Sequence, residues 1–285
     1  MANNIYEMVT ARIIEQMEQG IIPWQKPWTG RRGGAYSRST GKAYSLLNQF
    51  LLAKPGEYLT FKQAQEAGGH IRKGEKGSIV VFWKQVPITE TNDEGETVTR
   101  TIPVLRYYTV FHIDQCEGIE PKWTDETRAE VEADETAEDL IHDYLDATGV
   151  DLYNVRSDRA FYSPASDCIQ LPLMEQFTNT AEYYSTAFHE MVHSTGHASR
   201  LNRLNKTAAF GSEDYGREEL VAEIGAAQLV NVCGLETTGS FKNSVAYLQS
   251  WIRAIKDDPR MIVTAASKAE KAVDFILSVP RTVPF

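Results

Sequence analysis

Two histidines, His189 and His193, stand four residues apart in the segment Ala187-Phe188-His189-Glu190-Met191-Val192-His193. On a helix, positions i and i+4 project from one face, so both imidazoles can reach one ion. A hydrolytic zinc site needs neutral imidazoles on one side of the ion and an open position for water on the other. Glu190, beside the first histidine, is placed to take a proton from metal-bound water as a general base. Such a pair needs a third ligand from a later helix. Arg217-Glu218-Glu219-Leu220-Val221-Ala222-Glu223-Ile224-Gly225-Ala226-Ala227 is the obvious supplier. After Glu219 this stretch is almost wholly apolar, and a carboxylate within a buried helix requires a cation or a hydrogen-bonded partner. Glu219 is the expected ligand, Glu223 a supporting or structural acid, and Glu218 the competing ligand.

These side chains need rigid elements to hold them. Asn179 is a good N-cap for the first helix, with Glu182 three residues on as its reciprocal partner, and Gly196 is a stop. Phe188, Met191, Val192 and Thr195 give that helix an apolar stripe to bury beside the histidines. A second helix is expected over 217–232, ended by Gly234, and the small Gly225, Ala226 and Ala227 let the two approach closely. Gly196 also fits the metzincin pattern H-E-x-x-H-x-x-G-x-x-H, but Ser199 stands at its third histidine position and His197 lies two residues early. A glutamate third ligand, gluzincin style, is therefore the expectation. Zinc is the default ion for two imidazoles and a carboxylate, and manganese is compatible with such mixed ligands. His197 and Tyr215 are candidates to polarise a substrate carbonyl or stabilise an oxyanion. A hairpin over 160–171, turning at Ser163-Pro164-Ala165-Ser166, is placed to hold an extended peptide by strand addition.

The rest of the chain has a different character. The net charge of the whole chain, −10, is unevenly spread: residues 1–120 hold 14 Lys+Arg against 13 Asp+Glu, and residues 121–285 hold 15 against 26. Residues 24–84 hold 11 basic side chains and only three acids, Glu57, Glu66 and Glu75. That asymmetry points to two modules with different partners, 1–120 and 136–285, joined by an acidic linker over 121–135. In the first module, apolar residues at helical spacing from Ile5 to Met17 predict a helix. Shorter helices are expected at 46–53 and at 60–67, with Thr60 as N-cap, and strands at 78–83 and 106–113 with a hairpin tip at Asn92-Asp93-Glu94-Gly95. Downstream, helices are expected at 137–148, 245–256 and 267–277. The fold class is α+β in two domains.

Within 24–84, rings alternate with cations. Single strands are bound by stacking on aromatics inside a positive groove. Trp24, Trp28 and Tyr36, in a loop rich in Pro and Gly, are the stacking candidates; Arg31, Arg32, Arg38, Lys73 and Lys76 are the candidates for phosphates. The composition, 42% hydrophobic and 24% charged, holds no apolar run long enough to span a bilayer. The first 20 residues read as an amphipathic helix rather than a signal peptide. Cys116, Cys168 and Cys233 are widely spaced without a C-x-x-C pair, so reduced cytoplasmic thiols are expected rather than a disulfide framework.

Taken together, the two halves resemble the ArdC-type antirestriction proteins of plasmids and other mobile elements. The amino-terminal resemblance lies in Pro23-Trp24-Gln25-Lys26-Pro27-Trp28, Leu59-Thr60-Phe61-Lys62-Gln63-Ala64 and Gly69-His70-Ile71-Arg72-Lys73-Gly74-Glu75-Lys76-Gly77. The carboxy-terminal resemblance lies in 187–197 and in 217–223. The resemblance implies a single-stranded-DNA-binding domain joined to a gluzincin-like metallopeptidase domain, acting to protect incoming DNA from host restriction, typically in conjugation. It matches His189, Glu190 and His193 directly. Two rival readings are a DNA-binding shield with a structural or vestigial metal site, and a processing peptidase without a DNA function. The expected partners are single-stranded DNA and a protein substrate.

Overall fold

Ile5, Val9, Ile13 and Met17 recur every four residues, and together with Ile14 they are the buried face of α1 (Ala2–Glu18). The structure is a computed structural model that describes residues 2–19, 21–25, 34–52, 54–91, 97–123, 137–177, 179–204, 213–235 and 244–280. After α1 come a 3-10 turn at Pro23–Gln25, β1 (Ala35–Ser37), α2 (Leu46–Leu51), β2 (Gly56–Leu59), α3 (Phe61–Glu66), β3 (His70–Ile71), β4 (Ser78–Thr91), β5 (Thr97–His112) and β6 (Cys116–Glu117). The second half runs α4 (Ala137–Thr148), β7 (Asp151–Val155), β8 (Phe161–Ser163), β9 (Cys168–Pro172), α5 (Thr180–Thr195), α6 (Glu213–Val232), α7 (Ser244–Asp257) and α8 (Met261–Leu277). The fold is α+β. The hairpin tip at 92–95 and most of the expected linker lie outside the described residues.

Local chemistry accounts for several boundaries. Thr60 caps α3 in a capping box: its hydroxyl accepts from the Gln63 amide, and the Gln63 side chain accepts from the Thr60 amide at 2.8 Å. The β4–β5 hairpin is much longer than the apolar runs at 78–83 and 106–113 suggest. Its outer part is rich in threonine and mostly exposed, and backbone pairing with no core beneath it extends the ribbon. The short strands β1, β2, β3, β6 and β7 were not foreseen, since two to five residues pair only when a partner strand is already in place. Helix α8 starts six residues ahead of the expected 267 because Met261, Ile262 and Val263 are buried as a helical turn, overriding the strand preference of the β-branched pair.

The four-stranded sheet has the order β1-β2-β5-β4, with β1 and β2 parallel and the other pairs antiparallel. Strand alternation sends Val81 and Leu105 to one face and Val80 and Val110 to the other. The first pair joins a large apolar cluster, and the second joins a small one with Ala35, Leu52 and Tyr58. The large cluster runs without a break from Ile5 in α1 through α2, α4, α5 and α6 to Ile276 in α8. The two halves therefore share one core. Trp24 meets Trp251 edge-on at 5.6 Å, Lys256 Nζ pairs with Glu18 at 2.8 Å, and the Glu270 carboxylate of α8 accepts the Leu46 amide at the start of α2 at 3.1 Å. A second, three-stranded sheet, β7-β9-β8, has β8 at its edge. Among the described residues no helix is long and apolar enough to cross a membrane.

Candidate metal centre

Helix α5 begins at Asn179, whose side chain accepts from the Glu182 amide at 2.9 Å. One of its faces is core: Ala187, Phe188, Met191, Val192 and Thr195 are all buried. Helix α6 crosses that face closely. A Cβ on Gly225 would lie 2.7 Å from Val192 Cγ2, so a larger residue there would push the helices apart. This approach brings α6 carboxylates against the α5 imidazoles.

His189 Nε2 and His193 Nε2 lie 3.1 Å apart. Glu219 completes the group, with Oε2 3.5 Å from His189 Nε2 and Oε1 3.4 Å from His193 Nε2. Donors about 2.0–2.2 Å from a tetrahedral ion stand roughly 3.4 Å from one another, so a carboxylate facing both imidazoles at this range suits one ion of that size. Among the described residues these three form the one group of histidines, cysteines and acids so arranged. Two imidazoles and a carboxylate are the donor chemistry of a divalent-metal site.

The other two acids occupy distinct places. Glu218 faces the far nitrogen of His193, with Oε1 3.5 Å from Nδ1, and Glu223 stands 3.9 Å from His189 Nδ1. A carboxylate at the outer nitrogen fixes the ring's orientation and tautomer for a metal on the inner one. Glu218 is itself held by Arg203, whose Nε lies 3.1 and 3.0 Å from the two carboxylate oxygens. The same guanidinium donates to Val192 O at 2.7 Å and to Thr195 Oγ1 at 2.9 Å. Arg203 is nearly buried, at 5% side-chain exposure. No motif spacing singled it out, since Arg200-Leu201-Asn202-Arg203-Leu204-Asn205-Lys206 reads as an ordinary polar loop.

Charge at the site is unbalanced in the same sense. Burial alone would push the His193 imidazolium down, yet Glu218 and Glu219 outweigh it and hold its pKa up at about 10. Burial opposes ionisation of Glu219 too, but His189 and His193 keep its carboxyl well below the usual range. Glu218 is held down likewise, by His193 and Arg203 against the effect of burial. Burial pushes the Glu223 carboxyl up. The cluster thus calls for positive charge at its centre, and a metal ion meets that demand by replacing a proton.

Glu190 is buried at 7% exposure on the cleft side of α5. Burial raises its pKa against the pull of both histidines, and the Tyr162 backbone amide of β8 donates to its carboxylate. A proton acceptor shifted toward neutral pH is suited to general-base work. The cleft has a volume of about 620 Å³. Its walls include Phe161 and Tyr162 of edge strand β8, Tyr215 at the start of α6, and the cations Arg217 and Lys268. Tyr162, Arg217 and Lys268 were not foreseen; they come from separate parts of the chain and meet only here.

Several expectations need correction. His197 is not among the cleft-lining residues: it sits in the loop after α5 with Nδ1 2.8 Å from Ser199 Oγ, so it is tied into a local turn instead of facing the cleft. Trp24 is 1% exposed, wedged between Phe50 and Trp251, and has no free face for a base. Tyr36 is buried, with its hydroxyl donating to Trp123 O at 3.2 Å. Trp24 is covered by Phe50 of α2 and Trp251 of α7, and Tyr36 is held within β1, which pairs with β2. Arg38 is turned inward, paired with buried Glu57 and donating to Glu120 O at 3.0 Å. Lys73 and Lys76 are exposed on a turn where Gly74 adopts a φ of +91°. Trp28, Arg31 and Arg32 lie outside the described residues.

Arg203→Ala is expected to strand the Glu218 carboxylate and cost about 3–5 kcal/mol of stability. Metal affinity should fall on the order of 10–100-fold, as for other outer partners of ligating histidines. Thermal unfolding of the metal-free protein and a metal titration read the two effects, and wild-type values in both would show that Arg203 supports neither.

Residues 137–268 match the zincin-like metallopeptidase family, and residues 3–111 match the N-terminal domain of the anti-restriction factor ArdC. Fold and site thus define a class, an ArdC amino-terminal domain joined to a zincin-like metallopeptidase domain. The uncharacterized protein y4eC of Sinorhizobium fredii is 31% identical over 289 residues, which cover 96% of this chain and 91% of that one. The Mn(II)-bound crystal structure of the antirestriction protein ArdC from plasmid R388 superposes with a TM-score of 0.72 at 35% identity, covering 95% of this chain and 96% of that one. Its metal-free form gives a TM-score of 0.70 at 37% identity over the same shares. The chain belongs to the ArdC antirestriction protein family. It is also 37% identical over 295 residues to the DNA primase TraC of Escherichia coli, but spans only 27% of that protein's length.

Proposed function

We propose that this chain is an antirestriction protein of a mobile element that binds single-stranded DNA and carries a metal-dependent peptidase site, protecting incoming DNA from host restriction. The convergence of His189, His193 and Glu219 on one point, with buried Glu190 beside it in an open cleft, carries this reading. A divalent ion held there would supply Lewis acidity toward a peptide carbonyl and acidify water. Zinc is the default for this donor set, and the manganese held by the R388 relative supports a site tolerant of either ion.

The chain's own residues supply the rest. Edge strand β8 borders the cleft, where an extended peptide could lie alongside it, and Tyr162 ties that strand to Glu190. Glu190 accepts the proton and passes it on toward the leaving amine. Tyr215, on the cleft wall, is the candidate to stabilise the developing oxyanion. For DNA, Lys73 and Lys76, exposed on the turn at Gly74, are the candidates to meet phosphates.

The test is elemental analysis of the purified full chain together with a single-stranded-DNA titration at two salt concentrations. We expect one divalent ion per chain and an affinity that falls as salt rises, because phosphate neutralisation releases counterions. A metal-free protein that takes up no zinc or manganese would sink the peptidase half of the reading. Tighter binding to duplex, or an affinity indifferent to salt, would sink the DNA half.

A further inference from the structure

Trp24 and Tyr36, two of the rings expected to stack on DNA, are buried, yet other rings stand in water on the β4–β5 hairpin. Phe82 is 41% exposed and Tyr108 is 38% exposed. The register pairs Phe82 with Arg106 and Val80 with Tyr108, so Phe82, Lys84, Arg106 and Tyr108 share one face of the ribbon. The two rings are diagonal neighbours, with centroids 5.5 Å apart and planes tilted by 56°. Lys84 and Arg106 are exposed on either side of them. Strand β4 is the outer strand of its sheet. The Asn48 side chain takes its Val81 N–H and C=O at 2.7 and 2.8 Å, and past that point the ribbon leaves the core. A concave site of about 450 Å³ opens beside the two rings, bordered by Lys42, Tyr44 and, from α8, Glu270.

We propose that this face of the hairpin, centred on Phe82 and Tyr108 and flanked by Lys84 and Arg106, is where single-stranded DNA stacks and neutralises its phosphates. The inference rests on the reading that the chain binds single-stranded DNA, and names the surface that does so. Three arguments favour DNA over a protein partner or a second copy of this chain. First, the charged side chains of β4 and β5 are Lys84, Arg100 and Arg106 against one acid, Glu90, which pairs with Val98 near the distal end. A ring pair bordered by cations complements a polyanion. Second, an exposed ring can stack only on a base whose faces are not both already stacked, which selects single strands over duplex. Third, a sheet that presents aromatic side chains to solvent is a general platform for unpaired bases.

The experiment is fluorescence anisotropy with full-length protein and a labelled oligothymidylate. It compares wild type with Phe82→Ala, Tyr108→Ala, Lys84→Ala and Tyr107→Ala, the last on the opposite face. Stacking worth about 1–3 kcal/mol per base converts to a loss of roughly 5- to 140-fold for each of Phe82→Ala and Tyr108→Ala. Lys84→Ala should flatten the dependence of affinity on salt, and Tyr107→Ala should stay within about twofold of wild type. Metal content should not move in any of the four, and melting temperature should hold in Phe82→Ala and Lys84→Ala; Tyr108→Ala also loses a hydrogen bond to Tyr44, so Phe82→Ala is the cleaner ring variant. If wild type binds the oligonucleotide and both ring variants bind it equally well, the hairpin assignment fails while DNA binding stands. If wild type binds no oligonucleotide even at low salt, the functional reading fails and the inference with it. An equal loss from Tyr107→Ala overturns the choice of face. If the ring truncations abolish self-association and leave DNA affinity intact, the occupant is a second copy, and the proposal is overturned.

Discussion

Glu190→Gln is expected to leave one divalent ion bound per chain while hydrolysis of a quenched-fluorescent peptide library falls by about 10²–10⁴-fold, the usual worth of a positioned general base. The variant isolates the proton-accepting step. Glutamine keeps the volume of the side chain and an oxygen that can accept the Tyr162 amide, so the hold of β8 on α5 survives. It removes only the capacity to take a proton. The histidines and Glu219 present their donor atoms from other positions, so the ion should stay. Elemental analysis and the peptide assay, run on one preparation, separate the possible roles. Release of the ion would mean that Glu190 is a ligand, and unchanged hydrolysis would mean that the base lies elsewhere. Protection of DNA from restriction, measured alongside, distinguishes two ways of acting. A variant that protects fully without hydrolysis would identify binding as the shield.

His189→Ala should remove most of the metal. His189 stands at a shared corner of the donor triangle, at 3.1 Å from His193 and 3.5 Å from Glu219. Without it one imidazole and one carboxylate are left, too few protein ligands for a zinc site of this class. The loss is measurable without any substrate. An ion that binds only the folded state stabilises it by about 2.7 kcal/mol at 100 times its Kd, so wild type should melt several degrees higher with metal than without. In His189→Ala that increment should vanish, on top of any fall in metal-free melting temperature from loss of the contact that His189 makes with the Glu219 carboxylate. Full stoichiometry in the variant, or a retained metal-dependent increment, would show that the ion sits elsewhere.

Much of the α5 side of the site is legible in the amino-acid order because its spacing is local. An i, i+4 pair must share a helix face whatever surrounds it, and Asn179 caps its helix by reaching three residues on, so neither depends on distant chain. Apolar periodicity likewise marks α1 and α4. The acidic run is different. Glu218, Glu219 and Glu223 all lie within two turns of α6, and only the angle at which Gly225 seats that helix on Val192 decides which one reaches both imidazoles. Arg203 was invisible for the same reason, since its partners Glu218, Thr195 and Val192 come together only after both helices dock.

The aromatic residues divide in the same way. By itself the sequence determined that rings and cations are concentrated in the amino-terminal half, that a helix there carries a buried stripe, and that an H-E-x-x-H helix and an acidic helix follow. Which rings face water was decided by tertiary structure alone. Trp24 sits in a Pro/Gly loop that suggested exposure, yet Phe50 of α2 and Trp251 of α7 close over it. Phe82 and Tyr108 sit in strands, where rings are usually core, yet their hairpin runs out past the edge of the sheet's support. Burial depends on what arrives from elsewhere in the chain, and local residue type records none of that.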